Sequence, residues 1–91
     1  MKTFDYVVCY DISCPKRLAK VARALERVAS RIQKSIFLFD KVTTKELELL
    51  QAKLESIIEH KADDVRIYKV DVKGSFQAFS GIDLSNPYLL I

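Results

Sequence analysis

Residues 4–12, FDYVVCYDI, are β-branched and aromatic and contain no Gly or Pro, a composition that predicts a strand. Tyr6, Val8, Tyr10 and Ile12 fall on one side of it, Val7 and Cys9 on the other. Both sides are largely apolar, which is the pattern of a strand covered on both faces. Directly after it, Ser13-Cys14-Pro15 opens a helix, with Ser13 the expected N-cap and Pro15 in the first turn. Leu18, Val21, Ala22, Leu25, Val28 and Ala29 then recur at intervals of three and four, one apolar stripe of an amphipathic helix.

Beyond this strand and helix, residues 32–42 (IQKSIFLFDKV) read as strand again, either one bulged strand or two short ones meeting near Lys34-Ser35. Thr43-x-x-Glu46 is a capping box. It starts a second helix with Leu47, Leu50, Leu54, Ile57 and Ile58 on one face. Lys61 to Asp64 is a polar turn, and residues 65–72 (VRIYKVDV) form a further strand. This order predicts an α+β fold, a ferredoxin-like βαββαβ sandwich with two helices on one face of an antiparallel sheet. Residues 1–72 make the core domain. Residues 73–91 are a C-terminal extension whose apolar end, Tyr88-Leu89-Leu90-Ile91, suits an edge strand or a tail contacting a second copy.

Two helices cover one sheet face only, yet Tyr6, Tyr10, Phe37, Phe39 and Tyr68 supply the strands with many aromatics. A homodimer joined sheet to sheet would cover the second face. It would also help a chain of 91 residues, which buries only about 60–65% of the surface that its unfolded form exposes. Two cysteines, Cys9 and Cys14, make no disulfide framework and fit a reducing cytoplasm. No apolar run reaches the roughly 20 residues of a membrane span, and Asp5 interrupts any signal-peptide core.

Charge is concentrated. Between Cys14 and Lys34 stand Lys16, Arg17, Lys20, Arg23, Arg27, Arg31 and Lys34, opposed only by Glu26. That segment carries +6 while the whole chain carries +3, so the remainder is −3. Lys16, Lys20, Arg23 and Arg27 step by four, three and four residues and lie off the apolar stripe. They project from one side of the helix over about 16 Å, a spacing suited to successive phosphates of a nucleic acid.

Asp11 ends the first strand just before a helix, at the solvent-reachable rim of the sheet. It either helps Ser13 to cap the helix or offers oxygen to a hard cation such as Mg²⁺. Asp5, about 20 Å away along an extended strand, cannot assist it. A twofold axis near Asp11 is the economical way to bring a second carboxylate. His60, the single histidine, follows a helix end and suits a C-terminal dipole partner. Cys9 and Cys14 lack zinc-ligand spacing, and there is no Gly-rich phosphate loop.

Taken in order, these residues resemble the family of CRISPR-associated protein two, the smaller of the two universal spacer-acquisition proteins. The resemblance covers about residues 6 to 70. It rests on Tyr10-Asp11-Ile12 ending the first strand and on Lys16-Arg17 opening the helix. It rests also on Arg31-Ile32-Gln33-Lys34-Ser35-Ile36-Phe37, similar to the family's R-[VI]-Q-x-S-[VI]-F element, and on Val65-Arg66-Ile67-Tyr68. The resemblance implies a homodimer with facing sheets and two copies of Asp11 that approach and bind Mg²⁺. It implies a metal-dependent endonuclease acting on single-stranded RNA or double-stranded DNA, and a bridge to the CRISPR integrase. Carried over by position, Asp11 is the metal ligand and catalytic residue, while Tyr10, Arg17, Arg31 and Phe37 line or support the cleft. The basic helix would grip the phosphate backbone.

The chain departs from the family pattern at Cys14, at Ala29-Ser30 and at Leu38, where an acid, a glycine turn and a glutamate are usual. An unrelated ferredoxin-like RNA-binding module is the alternative. It would need an exposed aromatic platform with a glycine-containing signature, and Ile36-Phe37-Leu38-Phe39 has no glycine.

Overall fold

The computed structural model describes residues 2–70 and 87–91. The chain is α+β, with two helices on a five-stranded antiparallel sheet. The elements in chain order are β1 (Phe4–Asp11), α1 (Pro15–Glu26), β2 (Ser30–Gln33), β3 (Ile36–Val42), α2 (Thr44–Glu55), β4 (Asp64–Val70) and β5 (Leu89–Leu90). The strand order is β2-β3-β1-β4-β5. Each helix therefore carries the chain over one intervening strand: α1 from β1 past β3 to β2, α2 from β3 past β1 to β4.

Pairing fixes which face each side chain takes. Tyr6 stands opposite Phe39 and Val8 opposite Phe37 across β1–β3, while Val8 opposes Ile67 and Tyr10 opposes Val65 across β1–β4. These residues share one core with Val21 and Leu25 of α1 and Leu47, Leu50 and Leu54 of α2. Both helices thus cover the same sheet face. Four of the five aromatics that the sequence places in the strands lie here, with Tyr6, Tyr10, Phe37 and Phe39 at 1%, 6%, 0% and 4% exposure. The reason is the two-residue period of a strand: Tyr6 and Tyr10 share a parity, and the register places Phe37 and Phe39 beside it. Of the five, Tyr68 alone stands on the other face, opposite Val7.

Local chemistry explains the element ends. Residues 32–42 break into two strands, β2 and β3, at Lys34-Ser35. At Thr43 both halves of the capping box form: the Thr43 N–H donates to Glu46 Oε1 at 2.8 Å and the Glu46 N–H to Thr43 Oγ1 at 3.2 Å. Such a cap contributes about 1 kcal/mol. Ile57 and Ile58 fall just past α2, yet Ile58 still packs into the core. Val28 likewise lies beyond α1 and is 54% exposed. The β1–β3 register slips between Phe4 and Tyr6, where Lys41 takes a left-handed φ of 53°. The Asp5 carboxylate holds that bulge by accepting the Lys41 N–H at 2.8 Å.

The apolar C-terminus supplies an edge strand to its own sheet: Arg66 pairs with Leu90 and Ile67 with Leu89. Tyr88 packs against Tyr6 with ring centroids 5.8 Å apart. The expected boundary at residue 72 and the extension as far as residue 86 lie outside the described residues. Among the described residues no helix is long and apolar enough to cross a membrane.

Candidate functional site

Asp11 closes β1 with its side chain exposed, where the sequence places it. Its cross-strand partner is Asp64, the first residue of β4. Directly opposed residues share a sheet face, so two carboxylates meet at this rim on the side away from the helices. Asp64 also accepts a hydrogen bond from Arg66 Nε at 2.9 Å. Sequence reasoning assigned Asp64 to a turn, because its placement opposite Asp11 depends on a pairing register between distant segments. Among the described residues no group of three or more His, Cys, Asp or Glu gathers as a metal cluster. Two exposed carboxylates nevertheless fit Mg²⁺, which is commonly held by one or two carboxylates and keeps several waters.

Asp11 does not cap α1, and neither does Ser13. Cys14 occupies the N-cap with no side-chain cap bond, and Pro15 begins the helix. The Ser13 N–H donates instead to Asp63 Oδ1 at 3.2 Å. Asp63 is the structural centre of this corner. It accepts Arg17 Nε and Nη2 at 2.6 and 3.1 Å and the Glu59 N–H at 2.9 Å. Its side chain has no solvent exposure. The Arg17 guanidinium, together with the Glu59 and Ser13 amides, holds its carboxyl far below the usual carboxylate range. The same hydrogen bond raises the Arg17 pKa. Asp63 carries no signal of its own in the sequence; its role appears only when the segment before β4 is folded against the start of α1.

The cleft residues divide. Tyr10 and Phe37 stack at 6.1 Å and 24° inside the core, on the face of β1 opposite to Asp11. The Tyr10 hydroxyl donates to the Lys34 carbonyl at 3.4 Å, and burial pushes its pKa up. These two support the strand behind the rim and do not line it. Arg31 lies on β2, 2.9 Å from Glu26 Oε1, with its guanidinium over the Phe37 ring at 5.0 Å. It stands at the far edge of the sheet, with β3 between β2 and β1.

Of the seven cations in the basic segment, Arg17 is spent on Asp63 and Arg31 on Glu26. Lys16, Lys20, Arg23, Arg27 and Lys34 are exposed and form no ion pair among the described residues. Lys20, Arg23 and Arg27 line a cleft of about 340 Å³ between the helices, where Lys53 of α2 joins them. No acid lines it. The helix pairing that brings Lys53 here joins α1 to a segment remote in sequence, so composition gave no hint of it.

The family model for CRISPR associated protein Cas2 matches residues 4–78. A relative from Nitrosomonas europaea, CRISPR-associated endoribonuclease Cas2 1, is 36% identical over 70 residues, 77% of this chain and 66% of that protein. The crystal structure of Streptococcus pyogenes Cas2 aligns with a TM-score of 0.66 at 31% identity, covering 80% of this chain and 90% of that one. A chain of a partial Cas6-RT-Cas1–Cas2 complex aligns with a TM-score of 0.67 at 25% identity, over 93% of this chain and 96% of that chain. The family model spans all the described elements from β1 to β4, rim and basic helix included, and the chain belongs to the Cas2 family of CRISPR-associated proteins.

Proposed function

We propose that this protein acts in CRISPR adaptation as a cytoplasmic homodimer that binds nucleic acid, RNA or DNA, and bridges an integrase partner, with a Mg²⁺-assisted endonuclease site at Asp11. The observation that carries the binding role is the row Lys16, Lys20, Arg23 and Arg27 on α1, exposed and without an ion pair among the described residues. A solvated helix face normally mixes signs, whereas the one acid of this segment, Glu26, is taken by Arg31. Each phosphate neutralised by such a row adds a counterion-release term to affinity. The bridging role is supported by the similarity to a chain of a Cas1–Cas2 complex, and the nuclease role by the name of the Nitrosomonas relative.

Asp11 would hold the ion, with Asp64 opposite it on β4 as a second source of hard oxygen. When bound, Mg²⁺ supplies an activated water and offsets the charge that develops on a phosphodiester. The chain's own residues do the rest. The α1 cations hold the backbone, Asp63 and Arg17 fix the corner between the rim and α1, and Tyr10 and Phe37 pack behind the strand. The competing reading, an RNA-binding module that stacks bases on sheet aromatics, needs exposed rings. Phe37 and Phe39 are buried beneath the helices, and this disfavours it.

Asp11→Asn, assayed for both cleavage and spacer integration, tests the reading. Mg²⁺-dependent cleavage is expected to vanish while integration survives; cleavage unchanged by the substitution removes Asp11 from the site. Replacing Lys20, Arg23 and Arg27 together by Ala is expected to weaken integration and nucleic-acid binding. Sedimentation of a 10.4 kDa species at micromolar concentration would rule out the dimer.

A further inference from the structure

Beside the basic cleft lies a second groove, bounded by the end of α1, by α2 and by residues 39–42 of β3. Its volume is about 570 Å³, and its apolar part is lined by Val28, Phe39, Leu49 and Leu50. Leu49 and Val28 are 63% and 54% exposed, among the most exposed large apolar side chains described. Leu49 sits on α2 and Val28 just past α1, so both stand on the helix side, away from the sheet face assigned to a second copy. Arg27 and Lys53 line this groove and also the basic cleft, so the two depressions run together. Over both, Lys20, Arg23, Arg27, Lys41 and Lys53 face Asp40 and Glu46, a local excess of three positive charges.

We propose that this joined groove is a docking site for an acidic amphipathic segment of a protein partner, a short helix with leucine-like residues on one face and Glu or Asp beside them. The apolar residues would settle between Val28 and Leu49 and the carboxylates would reach Arg27 and Lys53. Two features set this occupant apart from nucleic acid. A phosphate backbone has nothing to bury against Val28 and Leu49, and these side chains lie beside the cations rather than among them. An amphipathic helix uses both halves, the apolar one for affinity and the basic one for register. The proposal shares Arg27 with the α1 phosphate row, but its apolar anchors lie outside that row, and substitutions at the anchors separate the two roles.

The test uses the full chain and two fluorescent helix-forming 18-mers of identical Leu, Ala and Glu composition. In one the leucines form a single face; in the other they are scattered. Fluorescence anisotropy measures both, and a labelled DNA duplex is measured in parallel. The amphipathic peptide is expected to bind about tenfold more tightly than its scattered isomer, with Leu49→Gln and Val28→Gln each removing most of that advantage, as interface anchors do. Both substituted side chains are exposed, so folding is preserved. Lys53→Gln, which spares the apolar anchors, is expected to weaken the peptide and to make its loss with salt shallower. Duplex affinity should be unchanged in Leu49→Gln and Val28→Gln. Equal affinity for the two peptides, or no binding of either, overturns the proposal. Loss of duplex binding in Leu49→Gln also overturns it, because the groove would then belong to nucleic acid.

Discussion

Arg17 and Asp63, 46 residues apart, close on each other through two hydrogen bonds, Nε to Oδ2 at 2.6 Å and Nη2 to Oδ1 at 3.1 Å. This pairing turns an arginine of the basic segment into a structural clamp. It also separates two effects that a charge count merges. Arg17→Ala is expected to lower stability, because it leaves the Asp63 carboxylate without its cation in a site closed to water. Arg23→Ala, on the exposed row, is expected to leave stability unchanged and, if Arg23 contacts one phosphate as proposed, to make the salt slope of duplex binding shallower by about 0.9. Urea denaturation and a salt titration of duplex affinity, run on both variants, check the contrast.

The same clamp has a pH signature. The Asp63 pKa in the folded chain lies far below its unfolded value of 3.8, so the folded state favours the charged form. Its stabilisation is fully present above the unfolded value and is lost as pH falls from there toward the folded one. Thermal midpoints of the wild type and Asp63→Asn are therefore expected to differ by several degrees at pH 7 and to converge below about pH 4. A gap that stays constant into acid would mean that the carboxylate charge contributes nothing.

Phe37 is wholly buried and carries both the Tyr10 ring and the Arg31 guanidinium. Phe37→Ala is expected to cost about 3–5 kcal/mol by chemical denaturation. Phe37→Leu fills most of the space and costs less. It should bind duplex as tightly as the wild type, since the ring faces the core and not the rim. A loss of affinity in folded Phe37→Leu would place the ring in the binding cleft after all.

The two thiols should react differently. Cys14 stands at the N-cap of α1, and the nearby backbone N–H groups of Arg17 and Lys16 favour its thiolate and lower its pKa. Cys9, half-buried on β1, is pushed up by burial. Thiolate is the reactive form. Iodoacetamide at neutral pH is expected to label Cys14 several-fold faster than Cys9, with the fast phase absent from Cys14→Ser. Mass spectrometry of timed samples reads this directly.

The legible parts of the structure were those governed by neighbours in sequence. The Thr43-x-x-Glu46 box involves four consecutive residues, and it forms as written. The parity of Tyr6, Val8 and Tyr10 is likewise local, and it put them on one face. What the parity could not show was the register with β3 that turns Phe37 and Phe39 toward that same face, so that four of the five strand aromatics belong to the core beneath the helices. Ser13 looked like an N-cap because its type and position were right. Asp63 takes its amide from 50 residues away, and the cap passes to Cys14. Lys53 beside Arg27, and Asp64 beside Asp11, are equally products of long-range packing. Asp11 itself was legible because the end of a strand is a local position.

Asp11 and Asp64 give the last test. Like charges directly opposite on a sheet repel, and Asp64 is partly relieved by Arg66. A divalent cation shared by the two carboxylates would relieve both, and a ligand that binds only the folded state raises its thermal midpoint with concentration. The wild-type midpoint is therefore expected to climb with added Mg²⁺, and Asp11→Asn to abolish the climb. Asp64→Asn should remove one of the two charges that attract the ion, so its midpoint is expected to climb only at higher Mg²⁺, with cleavage shifted to the same higher range. If the climb in Asp64→Asn matches the wild type while Asp11→Asn loses it, Asp64 is a bystander held by Arg66, and the second carboxylate must come from another copy of Asp11.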